Sequence, residues 1–124
     1  MTTTTKTLSP QYIAQVAKTI RRQIEVGVLF SLGARQFAAI STSGGVKPAL
    51  AFNATILPYR KDGSRGTGAR TMLVEVALNA LDLYDITVTY RNRGELVTHE
   101  SIENVDAFSL SRVLLSLDSD DPRA

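Results

Sequence analysis

The stretch Arg70-Thr-Met-Leu-Val-Glu-Val-Ala-Leu-Asn79 shows a clear strand pattern, and the prediction of the fold starts from it. From Met72 to Leu78, every second side chain is apolar: Met72, Val74, Val76 and Leu78. Successive side chains of an extended strand point to opposite sides, so these four share one face. Leu73 and Ala77 belong to the other face. We therefore predict a strand over residues 70–79 that is buried on one face and partly apolar on the other.

Segments on both sides of this strand alternate in the same way and predict further strands. Residues 49–57 and 84–91 are the clearest, and residues 36–41 predict a weaker first strand. Their alternating apolar side chains are Leu50, Phe52, Ala54 and Ile56, and then Tyr84, Ile86, Val88 and Tyr90. Residues 95–102 follow the compact turn Asn92-Arg-Gly94 and are more polar, so we expect this strand at an edge of the sheet.

Apolar residues spaced by three and four predict a helix before the strands. It begins at Ser9-Pro10, because serine caps free amides and proline fits the first turn. Its apolar positions are Ile13, Val16, Ala17, Ile20, Ile24 and Val28. The helix either ends at Gly27, which weakens it, or continues to a stop at Gly33. The second alternative would make residues 29–32 a fully buried last turn.

A second helix follows the last strand, with Asn104 or Asp106 as its cap. Its apolar face carries Ala107, Leu110, Val113, Leu114 and Leu117. The order of helix, four to five antiparallel strands and helix predicts an α+β domain with the helices on one sheet face. We expect a flexible Thr-rich tail over residues 1–8, one domain over residues 9–117 and an acidic tail over residues 118–124.

The composition excludes several classes of function. The chain has no Cys and one His, which rules out disulfides, thiolate metal sites and multi-histidine metal centres. No apolar run approaches the roughly 18 residues of a membrane helix, and no signal-peptide core is present. A hydrolase is not supported, because GxSxG is absent and His99 and Glu100 point to opposite faces of a strand. We predict a protein that is not an enzyme and that uses no cofactor or metal.

Charge is unevenly spread along the chain, although the net charge is only +2. Residues 1–70 carry ten Lys and Arg against two Asp and Glu, a balance of +8, whereas residues 71–124 carry four against ten, a balance of −6. Three interpretations stay open. The two parts fold together and their charges intermingle, the asymmetry marks a face for a polyanion, or it favours pairing between copies of the chain.

The candidate binding site combines a segment rich in arginine and glycine, residues 59–70, with the first helix. The segment offers Arg60, Lys61, Arg65 and Arg70 to phosphates and Tyr59 to a base, and the helix adds a stripe of Lys18, Arg21 and Arg22. The alternative is a solvated hairpin tip beside an ordinary exposed helix face. We expect the segment's cations to be exposed, so that replacing them changes the stability by about 0.5 kcal/mol at most.

Several stretches together resemble a group of phage proteins. A helix closing on Leu32-Gly33 leads into Phe37-Ala-Ala-Ile40, followed by Leu50-Ala-Phe52, residues 70–78 and Asp82-Leu-Tyr-Asp-Ile86. This pattern is similar to short uncharacterised proteins of tailed phages and mobile elements, particularly those of actinobacterial hosts. The resemblance implies a small accessory protein rather than a metabolic enzyme. Its expected location is the cytoplasm of the bacterial host cell, or the virion.

Two hypotheses of function follow. In the first, the protein is a non-enzymatic accessory protein that binds DNA or RNA mostly through phosphates, with a strong dependence on salt. In the second, it is a protein-interaction module, either a virion component, an assembly factor or an inhibitor of a host protein, and acts as a homo-oligomer. The polar edge strand and the sheet face away from the helices favour self-association, as a two-fold dimer or as a head-to-tail ring or tube. That face carries Asn53, Thr55, Leu73, Ala77, Thr87 and Thr89.

Overall fold

The computed structural model describes residues 8–42, 46–58, 64–66 and 68–117. In chain order the elements are α1 (Pro10–Gln23), α2 (Val26–Ser31), β1 (Arg35–Thr42), β2 (Lys47–Ile56), β3 (Arg70–Leu78), β4 (Tyr84–Asn92), β5 (Glu95–Val105) and α3 (Leu110–Ser116). The predicted α+β class is confirmed. The predicted tails, apart from Leu8, lie outside the described residues. None of the helices described combines the length and the apolar character that crossing a membrane requires.

The five strands form one antiparallel sheet in which each strand lies beside its neighbour in the chain, in the order β1-β2-β3-β4-β5. β3, the strand predicted over residues 70–79, is at the centre of the sheet. There Val74 lies between Phe52 of β2 and Val88 of β4. A shift of one residue would turn all three side chains out of the core, so the apolar alternation sets the register. β5 is at an edge, as predicted.

The core lies between the helices and one face of the sheet. α1 packs over β1 and β2, and α2 packs against α3. The largest fully buried side chains come from helices and strands alike: Ile20, Leu32, Phe52, Ile56, Met72, Ile86, Leu110, Leu114 and Leu117. Burying each side chain of this size contributes about 2 kcal/mol. None of the described helices packs on the opposite sheet face, where Leu73 is 39% exposed.

The N-terminal helix is interrupted, although the sequence predicts a continuous helix as far as Gly27 or Gly33. Ile24 adopts φ −92° and ψ 127°, and Glu25 is extended as well. A second helix, α2, follows directly and contains Gly27. At the break, the Glu25 amide donates a 2.9 Å hydrogen bond to Ser111 Oγ of α3. The break therefore occurs where the distant α3 satisfies a backbone group that a continuous helix would bond internally.

The prediction of a fully buried turn over residues 29–32 is wrong. Leu32 is buried, but Phe30 is 87% exposed. After the break, α2 has its own orientation. Val28 and Leu32, one turn apart, face the core, and this places Val26 and Phe30 on the outer side of the helix.

The C-terminal helix begins later than predicted, at Leu110. Asp106 does not cap it directly, because its Oδ1 accepts a 2.7 Å hydrogen bond from the Ser109 amide in the turn that precedes the helix. Asn104 belongs to the end of β5. Ala107, predicted on the apolar face, is exposed. The buried side chains that were predicted correctly are Leu110, Leu114 and Leu117.

The turn between β4 and β5 is confirmed at Asn92-Arg-Gly94. Arg93 has φ 55° and Gly94 has φ 83°. Two positive φ values in succession match the twist of a two-residue hairpin. Glycine adopts such a conformation without strain.

Candidate functional site

Three cations of α1, Lys18, Arg21 and Arg22, lie together on its exposed side. Their spacing by three and four residues places them on one helical face. The guanidinium carbon of Arg21 lies 3.7 Å from the centre of the Phe37 ring in β1, which is a cation–π contact. Within the described ranges, Lys18 and Arg22 make no ion pair. The charge of this face is therefore available to a partner.

These cations border an open groove of about 600 Å³ between α1, α2 and the start of β1, which we call the α1–α2 groove. It is lined by Lys18, Arg21, Arg22, Val26, Leu29, Phe30, Ala34 and Phe37. Val26 is 81% exposed and Phe30 is 87% exposed. Large apolar side chains that are exposed side by side and bordered by charged groups are typical of an interaction site.

Arg65, predicted to meet phosphates, is half-buried and bonded within the protein. Its Nη1 donates to the Leu57 carbonyl oxygen at 2.7 Å, and its Nη2 donates to the Ser116 carbonyl oxygen at 3.5 Å. Ser116 lies at the C-terminal end of α3, where unpaired carbonyl groups favour a cation. The expectation that Arg65 is exposed is therefore wrong. Its guanidinium connects the segment between β2 and β3 to the end of α3.

Arg70 is exposed but also bonded internally. It donates to the Arg91 carbonyl oxygen at 3.3 Å and to Asn92 Oδ1 at 3.4 Å, and lies 5.3 Å from the Tyr90 ring centre. Neither Arg65 nor Arg70 lines the α1–α2 groove. The predicted site residues Tyr59, Arg60 and Lys61 lie outside the described residues. Of the predicted site, the structure thus brings together Lys18, Arg21 and Arg22.

His99 is 2% exposed, although the sequence places it on a polar strand. The pairing of β4 with β5 shifts its register between Val88 and Thr89, and His99 is the extra residue of the resulting bulge. Its Nε2 lies 3.4 Å from Arg65 Nη1. In the part of the chain that the structure describes, no three His, Cys, Asp or Glu side chains gather as they would around a metal.

Asp85 is the centre of a polar network at one end of the sheet. Its carboxylate accepts hydrogen bonds from Lys47 Nζ at 2.8 Å, Asn79 Nδ2 at 2.9 Å and the Asn104 amide at 3.1 Å. Burial raises the pKa of the Asp85 carboxyl, but these hydrogen bonds lower it by more, and the pKa lies below its ordinary value. The network connects β2, the β3–β4 turn and the end of β5, so Asp85 holds the sheet end together.

The apolar half of the groove was missed by reasoning from the sequence. Ile24 and Val28 keep the apolar spacing across the break, so the change of orientation at Glu25 is not visible. If a break at residues 24–25 is assumed, the sequence does indicate which side chains are exposed. Val26 and Phe30 then lie opposite the buried positions of a new helix.

Comparisons of the chain with protein-family models, with curated proteins and with solved structures find no match. The chemistry of the α1–α2 groove is therefore the basis on which a function can be assigned.

Proposed function

We propose that this chain is a small non-enzymatic accessory protein of the phage type, an interaction module whose α1–α2 groove binds an acidic and partly apolar surface of a protein partner. One observation carries the proposal. Two apolar side chains that are more than four-fifths exposed, Val26 and Phe30, share the groove with Lys18, Arg21 and Arg22.

The apolar lining favours a protein partner. Burying a phenylalanine side chain contributes about 1.5–3 kcal/mol, and Phe30 has most of its surface still to bury. Aromatic side chains and arginine are enriched at protein interfaces. Val26 and Leu29 are aliphatic and supply packing area but no stacking surface for a nucleobase. The cations favour acidic groups on the partner and speed the encounter with it.

Nucleic-acid binding is the second candidate, and Phe30 is the observation that favours it. An exposed aromatic ring beside cations is a stacking platform for single-stranded nucleic acid. With the three cations of the groove, the logarithm of the affinity would change with the logarithm of salt by a slope of about −2, at roughly 0.7 per phosphate. Three phosphate contacts are few for a nucleic-acid site, so the protein partner ranks first.

Selection of random displayed peptides on the immobilised protein tests the proposal. We expect enriched peptides that combine Asp or Glu with aromatic or aliphatic residues. A labelled synthetic copy of the enriched peptide is then titrated with three proteins by fluorescence anisotropy. They are the wild type, the groove variant Arg22→Ser Phe30→Ser, and Arg91→Ser, which removes one cation from the sheet face opposite the helices. The groove variant should bind roughly 30-fold more weakly, as the loss of about 2 kcal/mol implies, and Arg91→Ser should bind like the wild type.

A labelled oligothymidine strand is titrated with the same proteins. Enriched peptides that bind the groove variant as tightly as the wild type would contradict the proposal. If no peptide is enriched while the oligothymidine binds the wild type tightly and the groove variant weakly, the groove belongs to nucleic acid instead.

A further inference from the structure

The two outer strands of the sheet present backbone edges of different character, and the β1 edge is uncharged after Arg35. From Phe37 to Thr42 the strand has no charged side chain and no proline. Its pairing with β2 is regular from Ala38 to Thr42. The outer N–H and C=O groups of such a strand can pair with another strand, and proteins usually guard them with charge, proline or a bulge. Among the described residues, the guards of β1 are Arg35 and the bulge before Ala38, both at the start of the strand.

The β5 edge is acidic. This strand contains Glu95, Glu100 and Glu103 and no Lys or Arg. Glu95 pairs with Asn92, two residues beyond the half-buried Tyr90, so Glu95 lies on the helix-covered side of the sheet. Glu95 and Glu103 are exposed and make no ion pair within the described ranges.

The β1 edge has cations on that same side of the sheet. A hollow of about 200 Å³ beside the strand is lined by Ala17, Lys18, Arg21, Phe37, Ala38, Ala39 and Leu50. It adjoins the α1–α2 groove, with which it shares Lys18, Arg21 and Phe37. A strand added to β1 would therefore have the α1 cations beside its helix-side residues.

These charges disfavour symmetric pairing of like edges. When two β1 edges join through a two-fold axis perpendicular to the sheet, both α1 helices lie on the same side of the junction. Lys18 and Arg21 would then face their own copies. Joining two β5 edges would place two strands beside each other that both carry Glu95, Glu100 and Glu103 and no Lys or Arg. Like charges across such a junction oppose pairing.

We propose that the chain associates head to tail, with the β5 edge of one copy adding to the β1 edge of the next and Glu95 facing Lys18 and Arg21. This inference rests on the proposed function, because it names a second copy of the chain as the acidic partner. In a five-stranded antiparallel sheet the first and last strands run in the same direction, so the junction is a parallel pair. Such a contact repeats from copy to copy and forms a ring or a filament.

Two charge-reversed variants test the proposal. The basic-edge variant carries Lys18→Glu and Arg21→Glu, and the acidic-edge variant carries Glu95→Lys. By light scattering at low salt, the wild type should have a mass above 13.5 kDa that falls at high salt. Each variant alone should associate roughly tenfold more weakly, as expected for exposed charge pairs made repulsive.

Mixing the two variants in equal amounts should restore association, because each junction then joins unlike charges. Neutral versions, with Ser at the same positions, should weaken association without rescue on mixing. All three positions are exposed, and circular dichroism checks that each variant is folded.

Three results would overturn the proposal. An acidic-edge variant that still associates alone would indicate pairing of two β1 edges, and a basic-edge variant that does so would indicate pairing of two β5 edges. A wild-type mass of 13.5 kDa at both salt concentrations would exclude self-association. If the wild type is monomeric but displayed peptides still bind the groove, self-association is excluded and the proposed function is not. The failure of one proposal can therefore be told from the failure of the other.

Discussion

Replacing Arg65 with methionine should lower the free energy of unfolding by about 2 kcal/mol. Methionine keeps much of the aliphatic length and removes the guanidinium. The hydrogen bond from Nη1 to the Leu57 carbonyl, at 2.7 Å, has a charged donor, and bonds of this class contribute about 1.5–3 kcal/mol. The contacts with the Ser116 carbonyl oxygen, at 3.5 Å, and with His99 Nε2, at 3.4 Å, are long, so they contribute little to the stability.

Urea unfolding followed by circular dichroism measures this loss, and thermal unfolding gives a second estimate. For a domain of this size, each kcal/mol corresponds to roughly 3–5 °C in Tm, so we expect Tm to fall by about 6–10 °C. Arg22→Met is the matched control, since it removes the same group from an exposed position that makes no ion pair with any described residue. Its stability should differ from that of the wild type by about 0.5 kcal/mol at most.

Equal stability of Arg65→Met and Arg22→Met, within about 0.5 kcal/mol, would refute this reasoning. Arg65 would then be the freely exposed cation that the sequence alone predicts. Arg65→Lys gives a further check, because an ammonium group can still donate to the Leu57 carbonyl. It should recover part of the stability that methionine loses.

The remaining predictions concern Asp85 and two glycines. Asp85→Asn should destabilise the protein by about 1–2 kcal/mol at neutral pH. Because the folded-state pKa of Asp85 is lowered, the wild type keeps this contribution above the ordinary value of 3.8 and loses it as the pH falls through the folded-state value. Urea unfolding of both proteins at decreasing pH measures this contribution. A difference in their free energies of unfolding that stays constant as the pH falls would contradict the prediction. Gly27→Ala should raise the stability by about 0.5–1 kcal/mol, since Gly27 lies in α2 with nothing within 4 Å of an added Cβ. Gly94→Ala should lower it by about 1 kcal/mol, because φ is +83° there. Thermal unfolding that ranks these two variants in the opposite order would show the reasoning to be wrong.

The sheet could be predicted closely from the sequence, because strand periodicity is a local property. Alternation at Met72, Val74 and Val76 needs one apolar face and nothing else. Neighbouring strands with the same alternation and short turns then favour a meander. The register of β3 with β2 and β4 follows from matching their apolar faces.

The helical layer and the site could be predicted only in part, because they depend on contacts between distant residues. The break before α2 depends on Ser111, and the position of Arg65 depends on the end of α3. The bulge that buries His99 leaves no mark in the alternation of β5. The α1 cations can be predicted because helical spacing places them on one face. Phe30 cannot, because the alternative in which the helix continues to Gly33 places it in a buried turn.

The position of α3 has a consequence for how the protein is made. Ser111, whose Oγ accepts a hydrogen bond from the Glu25 amide, lies 86 residues after Glu25 in the chain. A ribosome therefore delivers both N-terminal helices and the whole sheet before the segment that completes their packing. Until Leu110, Leu114 and Leu117 emerge, the nascent chain keeps an open apolar surface that chaperones and proteases can bind. A stop codon just before Leu110 should thus leave as little folded protein in the cell as one in the middle of the sheet.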